Sequence, residues 1–480
     1  MNWRRVLHIL ALVLFVLAGA ELLPLIWILG GGEQRAVVGF LSGSLLAALL
    51  GGLFRWLGRV EGELYRREGV LIVVGSWVLA SFIGAVPYVL SGVLPSPADA
   101  LFESASGFTT TGASVLLEIE AAGRPMLFWR SLTQWLGGIG IVVLFVALLS
   151  ELGPGARFLF KLEVPGPKAE IMHQRVRDTA LALGRIYLVL SAAEVVLLLA
   201  CGLSAFDALT HTFSTVSTGG FSPHTASAGH FPPIVQVVLI VFMLASGVNF
   251  SLYFFMIRRR SLGVLRDAEL RLYLTLFAGA TLLVALTVGL AGEGVWGTTL
   301  LEAAFQVASI ITTTGFATAD FVQWPTLAKA TLVGLMLLGG CAGSTSGGAK
   351  VLRGIIGWRA AMREIRLVFS PNAVISVVAG RESVPEESVR SVMALLVLWF
   401  LAWGAGALLL SIGDHDIVTA ATASIATLSN IGPGLGEVGP AGGFAFFARW
   451  QKLVMVLLMW LGRLEFFALL ALFQRRFWRP

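Results

Sequence analysis

Leu101-Phe102-Glu103-Ser104-Ala105-Ser106-Gly107-Phe108-Thr109-Thr110-Thr111-Gly112-Ala113-Ser114 is a short apolar stretch that ends in small residues around one glycine. A transmembrane helix takes about 20 apolar residues, so a segment of about a dozen cannot cross a bilayer, though it can enter and return. The same design comes back as Ala208 to Phe221 with Ser217-Thr218-Gly219-Gly220, as Ala303 to Phe316 with Thr312-Thr313-Thr314-Gly315, and as Thr419 to Pro433 with Ser429-Asn430-Ile431-Gly432. Glycines 112, 219, 315 and 432 stand 107, 96 and 117 residues apart. Each copy follows a longer apolar run and precedes another. The unit of span, short helix, Gly loop and span is therefore an internal repeat, present four times.

Irregular backbone at membrane depth survives only where protein encloses it or a watered cavity solvates it. Glycine admits backbone angles that let successive carbonyls point one way. A ring of such carbonyls can replace the hydration shell of a monovalent cation, and the short helix ahead of each loop aims its negative C-terminal end at the same place. Any one loop by itself reads better as an ordinary capped turn. Four copies in register favour a filter.

Apolar spans are predicted near residues 6–30, 36–57, 69–93, 125–150, 179–203, 232–257, 271–292, 325–366 (interrupted), 388–412 and 444–474. The composition agrees: 57% of the 480 residues are hydrophobic and 13% charged, against roughly 25% charged in soluble chains. Soluble and disordered classes are excluded. A cleaved leader is not expected, because the first apolar run continues to Leu29. Cys201 and Cys341 have neither CxxC pairing nor metal spacing.

Lys and Arg cluster in alternate connections: Arg4 and Arg5, Arg55 to Arg67, Arg157 to Arg185, Arg258 to Arg271, Lys350 to Arg390, and Arg475 to Arg479, together 27 of 34. By the positive-inside rule both termini are cytoplasmic. The net charge of +6 marks topology, and no basic stripe with interleaved aromatics suggests nucleic acid.

The four loops, the run Gln134-Trp135-Leu136-Gly137-Gly138-Ile139-Gly140, and Gly339-Gly340-Cys341-Ala342-Gly343-Ser344-Thr345-Ser346-Gly347-Gly348-Ala349-Lys350 together resemble the TrkH/TrkG/KtrB superfamily of potassium transporters. The likeness covers essentially the whole chain, and two extra spans before the first repeat place it with the TrkH/TrkG branch. The fold implied is an all-α polytopic membrane protein with four pseudo-fourfold span–pore-helix–filter-loop–span repeats around one pore, preceded by two extra transmembrane helices. The division expected is 1–60 for the N-terminal pair, then repeats at 68–152, 178–258, 270–367 and 388–475. Both termini would face the cytoplasm of a bacterial inner membrane.

Carried over residue by residue, the resemblance implies K⁺-filter positions at Thr110, Thr111 and Gly112; Ser217, Thr218 and Gly219; Thr313, Thr314 and Gly315; and Asn430, Ile431 and Gly432. The fourth departs most from Thr-Thr-Gly, so a less regular ring is expected. The resemblance also implies K⁺ as substrate with no cofactor on this chain, a homodimer in membrane lipid, and a cytosolic TrkA-type subunit that carries any nucleotide.

Gly339–Lys350 has three readings. It fails as a phosphate loop, because Ala349 separates Gly348 from Lys350 and no strand precedes it. It suits a Gly-rich packing seam between helices, or a broken helix of the kind that lines ion paths. In the last reading Gly339, Gly340, Gly343, Ser344, Thr345, Ser346, Gly347, Gly348 and Lys350 form an intramembrane gate below the third filter loop. The resemblance implies the same, with Arg463 facing that loop. A guanidinium in the apolar layer must pair or face a cavity, and Glu465 lies nearby in sequence.

Glu21 and Glu194 read as buried polar contacts between helices. Glu103, Asp207, His211, Asp414, His415 and Asp416 read as structural groups near the short helices. Glu118, Glu120, Asp320 and Glu437 follow the filter loops on the outer face and are placed to concentrate cations there. No nucleophile–base set, metal-ligand cluster or nucleotide motif suggests an enzyme. The serious alternative is a secondary transporter coupling cation uptake to H⁺ or Na⁺ by alternating access. Such transporters carry twofold inverted repeats, whereas these four copies all place their loop outside.

Overall fold

The computed structural model describes residues 1–28, 34–58, 65–151, 176–259, 262–292, 296–380 and 382–478. Outside them lie Arg59, Arg157, Lys161, Lys168, Arg175, Arg260, Arg381 and Arg479, which are part of the cation count above, and residue 152 at the expected end of the first repeat. Among the described residues, six helices are long and apolar enough to cross a bilayer: Trp3–Trp27, Gln34–Leu57, Arg67–Ser91, Ala180–Ala200, Ala268–Leu290 and Glu386–Leu410. Much of their surface is exposed apolar side chain, such as Leu45, Leu49, Val189, Val196, Leu282, Leu401 and Leu408. That is the surface a helix presents to lipid.

Four short helices follow the first span of each repeat: Pro97–Phe108, Ala205–Val216, Trp296–Ile311 and Ile417–Leu428. Their starts are written locally. Pro97 occupies the opening turn, where no N–H is needed. The Ser204 hydroxyl accepts from the Asp207 amide, and the Asp416 carboxylate accepts from the amides of Val418 and Thr419. Their ends share one geometry. Thr110, Thr218, Thr313 and Asn430 each take a left-handed conformation, with φ of 54°, 56°, 56° and 54°. The next amide in each loop then turns back to a helix carbonyl: Thr111 to Ser106, Gly219 to Ser214 and Thr314 to Ser309 at 2.8 Å, and Ile431 to Ala426 at 2.9 Å.

The return helices differ from expectation in two repeats. The sequence predicts one span over 232–257 for the second, but it is Pro233–Ser246 and Phe250–Arg258, bent by 86°. The break frees the Gly247 carbonyl and the Phe250 amide, which pair with the Cys341 amide at 2.9 Å and the Gly343 carbonyl at 3.0 Å. A second irregular segment thus satisfies the first. In the last repeat the helix is Arg449–Arg463, followed by a turn with positive φ at Glu465 and Phe466, and then Phe467–Ala471. The predicted span 444–474 is therefore interrupted as well. The third return follows expectation, with helix Thr326–Leu338, a non-helical run over 339–350, and helix Val351–Phe369.

The N-terminal pair packs on the first repeat, with Leu14, Leu17, Phe40 and Ala47 in one buried cluster with Phe102, Phe108, Trp129 and Met459. The first predicted span stops helically at Ala20 and continues as a 3-10 turn over Leu23–Trp27. Glu21 and Glu194 are fully buried between helices, as expected from sequence. The Glu194 side chain lies against Thr215, whereas the carboxylate oxygens of Glu21 have no hydrogen-bond partner among the described residues. Glu21 Oε2 lies 2.4 Å from where a Cβ on Gly43 would sit, so the carboxyl packs on glycine backbone.

Candidate functional site

The four loops meet one another through their glycines. A Cβ on Gly112 would lie 2.2 Å from the Gly219 carbonyl oxygen, one on Gly220 1.9 Å from that of Thr314, one on Gly315 1.9 Å from that of Ile431, and one on Gly432 2.9 Å from that of Thr111. The approaches run from the first loop to the second, third and fourth, and return to the first. All four glycines have φ between +78° and +100°. Position and conformation together demand glycine. The first three junctions are tighter than the fourth, the loop with the most divergent sequence.

This ring corrects the register of the second loop. The residue equivalent to Gly112, Gly315 and Gly432 is Gly220, and Gly219 matches Thr111, Thr314 and Ile431. The equivalent triplet is Thr218, Gly219 and Gly220, with Ser217 matching Thr109, Thr312 and Ser429. The true intervals are thus 108, 95 and 117 residues. Two adjacent glycines left the sequence ambiguous, and backbone conformation resolves it.

Gln134, the first residue of the Gln-Trp-Leu-Gly-Gly run, clamps the second loop. Its Nε2 donates to the Gly219 carbonyl at 2.7 Å, while its Oε1 accepts from the Phe221 amide at 3.0 Å. A Cβ on Gly219 would fall within 2.4–2.8 Å of this amide group. Gln134 therefore fills the place where the other loops carry a side chain. In the first and third loops the hydroxyls of Thr109 and Thr111, and of Thr312 and Thr314, pair at 2.8 and 2.7 Å. In the fourth, Asn430 Nδ2 donates to Thr111 Oγ1 at 2.9 Å and to the Met459 carbonyl at 3.1 Å, closing the ring by side chain as well.

Glu103, fully buried in the first short helix, accepts from Arg130 Nε, Ser114 Oγ and the Val115 amide, each at 2.9 Å. Arg130 in turn donates to the Ser222 carbonyl at 3.0 Å and lies 4.1 Å over the Phe221 ring. This buried pair ties the flanks of loops one and two. Asp207 receives His224 Nε2 at 3.0 Å, and His211 Nε2 lies 3.2 Å from Ser222 Oγ. The His415 ring packs on Phe446 and Phe447. Among the acids that follow the loops, Asp320 caps the short turn Phe321–Gln323. Glu120 accepts from the Thr225 amide at 2.7 Å and from its hydroxyl. The hydroxyl bond is the chief reason its carboxyl is held below the usual carboxylate range. These two tether the segments that follow the loops as well as carrying charge.

On the other side of the ring lies the run 339–350. The Gly347 amide donates to Thr313 Oγ1 at 2.6 Å, and a Cβ on Gly347 would lie 2.1 Å from the Ser429 carbonyl. Thr345 Oγ1 lies 3.1 Å from the Val216 carbonyl and 3.2 Å from that of Ser246. Arg463 Nη1 donates to the Thr345 carbonyl at 2.7 Å. The run thus touches the second, third and fourth pore-loop elements at once. Glu465 does not pair with Arg463; it pairs with Arg353 at 2.8 Å. Ser344 Oγ donates to the Cys341 carbonyl, and Lys350 Nζ donates to that of Ser346, so both brace the run from within. Gly339, Gly343, Gly348 and Lys350 all have positive φ, and a Cβ on Gly340 would meet Ser346 Oγ at 2.4 Å.

Comparison with known proteins sets this geometry among its relatives. The TrkH family model, described as cation transport protein, matches residues 38–479. The chain is 38% identical over 492 aligned residues to the Trk system potassium uptake protein TrkH of Salmonella typhimurium, covering 100% of both. It is 34% identical over 480 residues to the Trk system potassium uptake protein TrkG of Escherichia coli, covering 99% of both. The crystal structure of the potassium transporter TrkH from Vibrio parahaemolyticus superposes with a TM-score of 0.89 at 34% identity, covering 100% of both chains.

Proposed function

The chain belongs to the TrkH family of cation transport proteins, and from that membership we propose that it takes up potassium ions through a pore closed by the four glycine loops. It is a multi-pass membrane protein. The observation that carries the mechanism is the cycle of glycine-to-carbonyl approaches, since it holds four carbonyl-bearing segments around one axis. Dehydrated K⁺ would be coordinated there by backbone oxygens of the Thr110–Gly112, Thr218–Gly220, Thr313–Gly315 and Asn430–Gly432 segments, with the short helices adding negative potential. The run 339–350, pressed against three of the pore elements and held by Arg463, acts as the gate. Its small residues allow rearrangement at little steric cost, which suits a two-state element.

The relatives' names place them in a Trk system. For this chain the partner we propose is a cytosolic TrkA-type nucleotide-binding ring, docking on the basic cytoplasmic face around Arg353, Arg359 and Arg363, with a second copy of the chain forming a homodimer in the bacterial inner membrane. Expression in a bacterium lacking K⁺ uptake is expected to restore growth on limiting K⁺. Growth that stays K⁺-limited despite normal membrane insertion would refute K⁺ uptake by this chain.

The loop register gives a second expected outcome. Gln134→Leu leaves the Gly219 carbonyl and the Phe221 amide unpaired in a buried site, at about 1–3 kcal/mol each. Rb⁺ uptake by reconstituted protein should fall about tenfold or more. Full activity in that variant would show that the second loop stands without its amide clamp.

A further inference from the structure

Glu269 is the second residue of helix Ala268–Leu290, at its N-terminal end, and is 6% exposed. Its Oε1 accepts from the Ala342 amide at 2.7 Å and from the Leu352 amide at 3.0 Å. These two donors bracket the run that presses on the pore loops. Ala342 stands near its start, and Leu352 lies in the first turn of helix Val351–Phe369, whose N-cap residue Lys350 makes no side-chain cap bond. A carboxylate from another helix therefore supplies the cap and, with the same oxygen, reaches back to the other end of the loop. Bonds from amides to a carboxylate are stronger than neutral ones, and negative charge is favoured at a helix N-terminus.

We propose that Glu269 is a positioning residue for the intramembrane loop: its carboxylate clasps the two ends together and so holds Thr345 and Gly347 against the pore loops. The inference rests on the reading of that loop as the gate. Separating the ends lengthens the free segment and widens the set of conformations it can reach. The neck also carries backbone bonds, from the Lys350 amide to Leu338 at 2.7 Å and from the Val351 amide to Gly340 at 3.0 Å. Those remain when Glu269 is changed, so the helices on either side stay placed.

The chain's own chemistry supplies a probe, because Cys341 is buried next to Ala342 and the only other cysteine is Cys201. In a Cys201→Ser background, membranes are treated with a membrane-permeant maleimide, and partner-free Rb⁺ flux is measured in parallel. Glu269→Ala is expected to raise the Cys341 labelling rate and the flux about tenfold, the factor for losing such bonds. Glu269→Gln keeps an acceptor oxygen and should fall between, and it serves as the folded control should the alanine variant insert poorly. Unchanged labelling in both variants overturns the clasp. If labelling rises but flux does not, and Arg463→Ala also leaves flux unchanged, the clasp stands and the gate reading falls. If Arg463→Ala raises flux while Glu269→Ala leaves both readouts alone, the gate stands and the clasp falls.

Discussion

Gly315→Ser is expected to cut the ratio of K⁺ to Na⁺ flux about tenfold or more, because a left-handed backbone costs a non-glycine residue about 1–2 kcal/mol before any contact is counted. The contact makes it worse. A Cβ there would sit 1.9 Å from the Ile431 carbonyl oxygen, so either the third loop moves or that carbonyl turns. Both disturb the ring at two loops. Gly112→Ser and Gly220→Ser should behave alike, with the new Cβ 2.2 Å and 1.9 Å from the next carbonyl. Gly432→Ser should be milder, since its nearest carbonyl is 2.9 Å away. Gly334→Ser, at a helical glycine with nothing within 4 Å of an added Cβ, is the control. Liposome flux with K⁺, Rb⁺ and Na⁺ reads the result. An unaltered ratio in both Gly112→Ser and Gly315→Ser would show that these loops are not the filter.

Arg463→Ala is expected to raise K⁺ flux without a regulatory partner about tenfold, as the loop loses a hydrogen bond to a charged group worth about 1.5–3 kcal/mol. Arg463 is 4% exposed, and its Nη1 holds the carbonyl of Thr345, the residue whose side chain also reaches Val216 and Ser246. Removing the guanidinium releases the loop and also removes a positive charge beside a cation path. Selectivity should not change, because no filter residue is altered. Deleting part of 343–347 should act in the same direction and further. If both variants insert normally and flux stays constant or falls, the run is a packing seam between helices.

The architecture was legible before any coordinates because bilayer physics writes it into composition. Spans must be long and apolar, and a short apolar segment ending at glycine has to re-enter. The third-repeat break at 339–350 was legible too, since a run of twelve residues with five Gly cannot continue a helix cheaply. Tertiary structure decided what depends on contacts between distant segments. Gly219 and Gly220 are equivalent as letters; only the carbonyls of Gln134's partner loop and of Thr314 show which one closes the ring. Ser246-Gly247-Val248-Asn249 reads as a tolerable part of an apolar span, and it breaks because Cys341 and Gly343 complete its hydrogen bonds from another repeat. Arg463 and Glu465, two residues apart, suggest a local pair, yet the turn at 464–466 sends one to Thr345 and the other to Arg353. Local pattern sets which segments are helical and which face lipid, because those depend on each residue's own transfer energy. Partners in the buried polar network are chosen by geometry between repeats, which no single stretch of sequence contains.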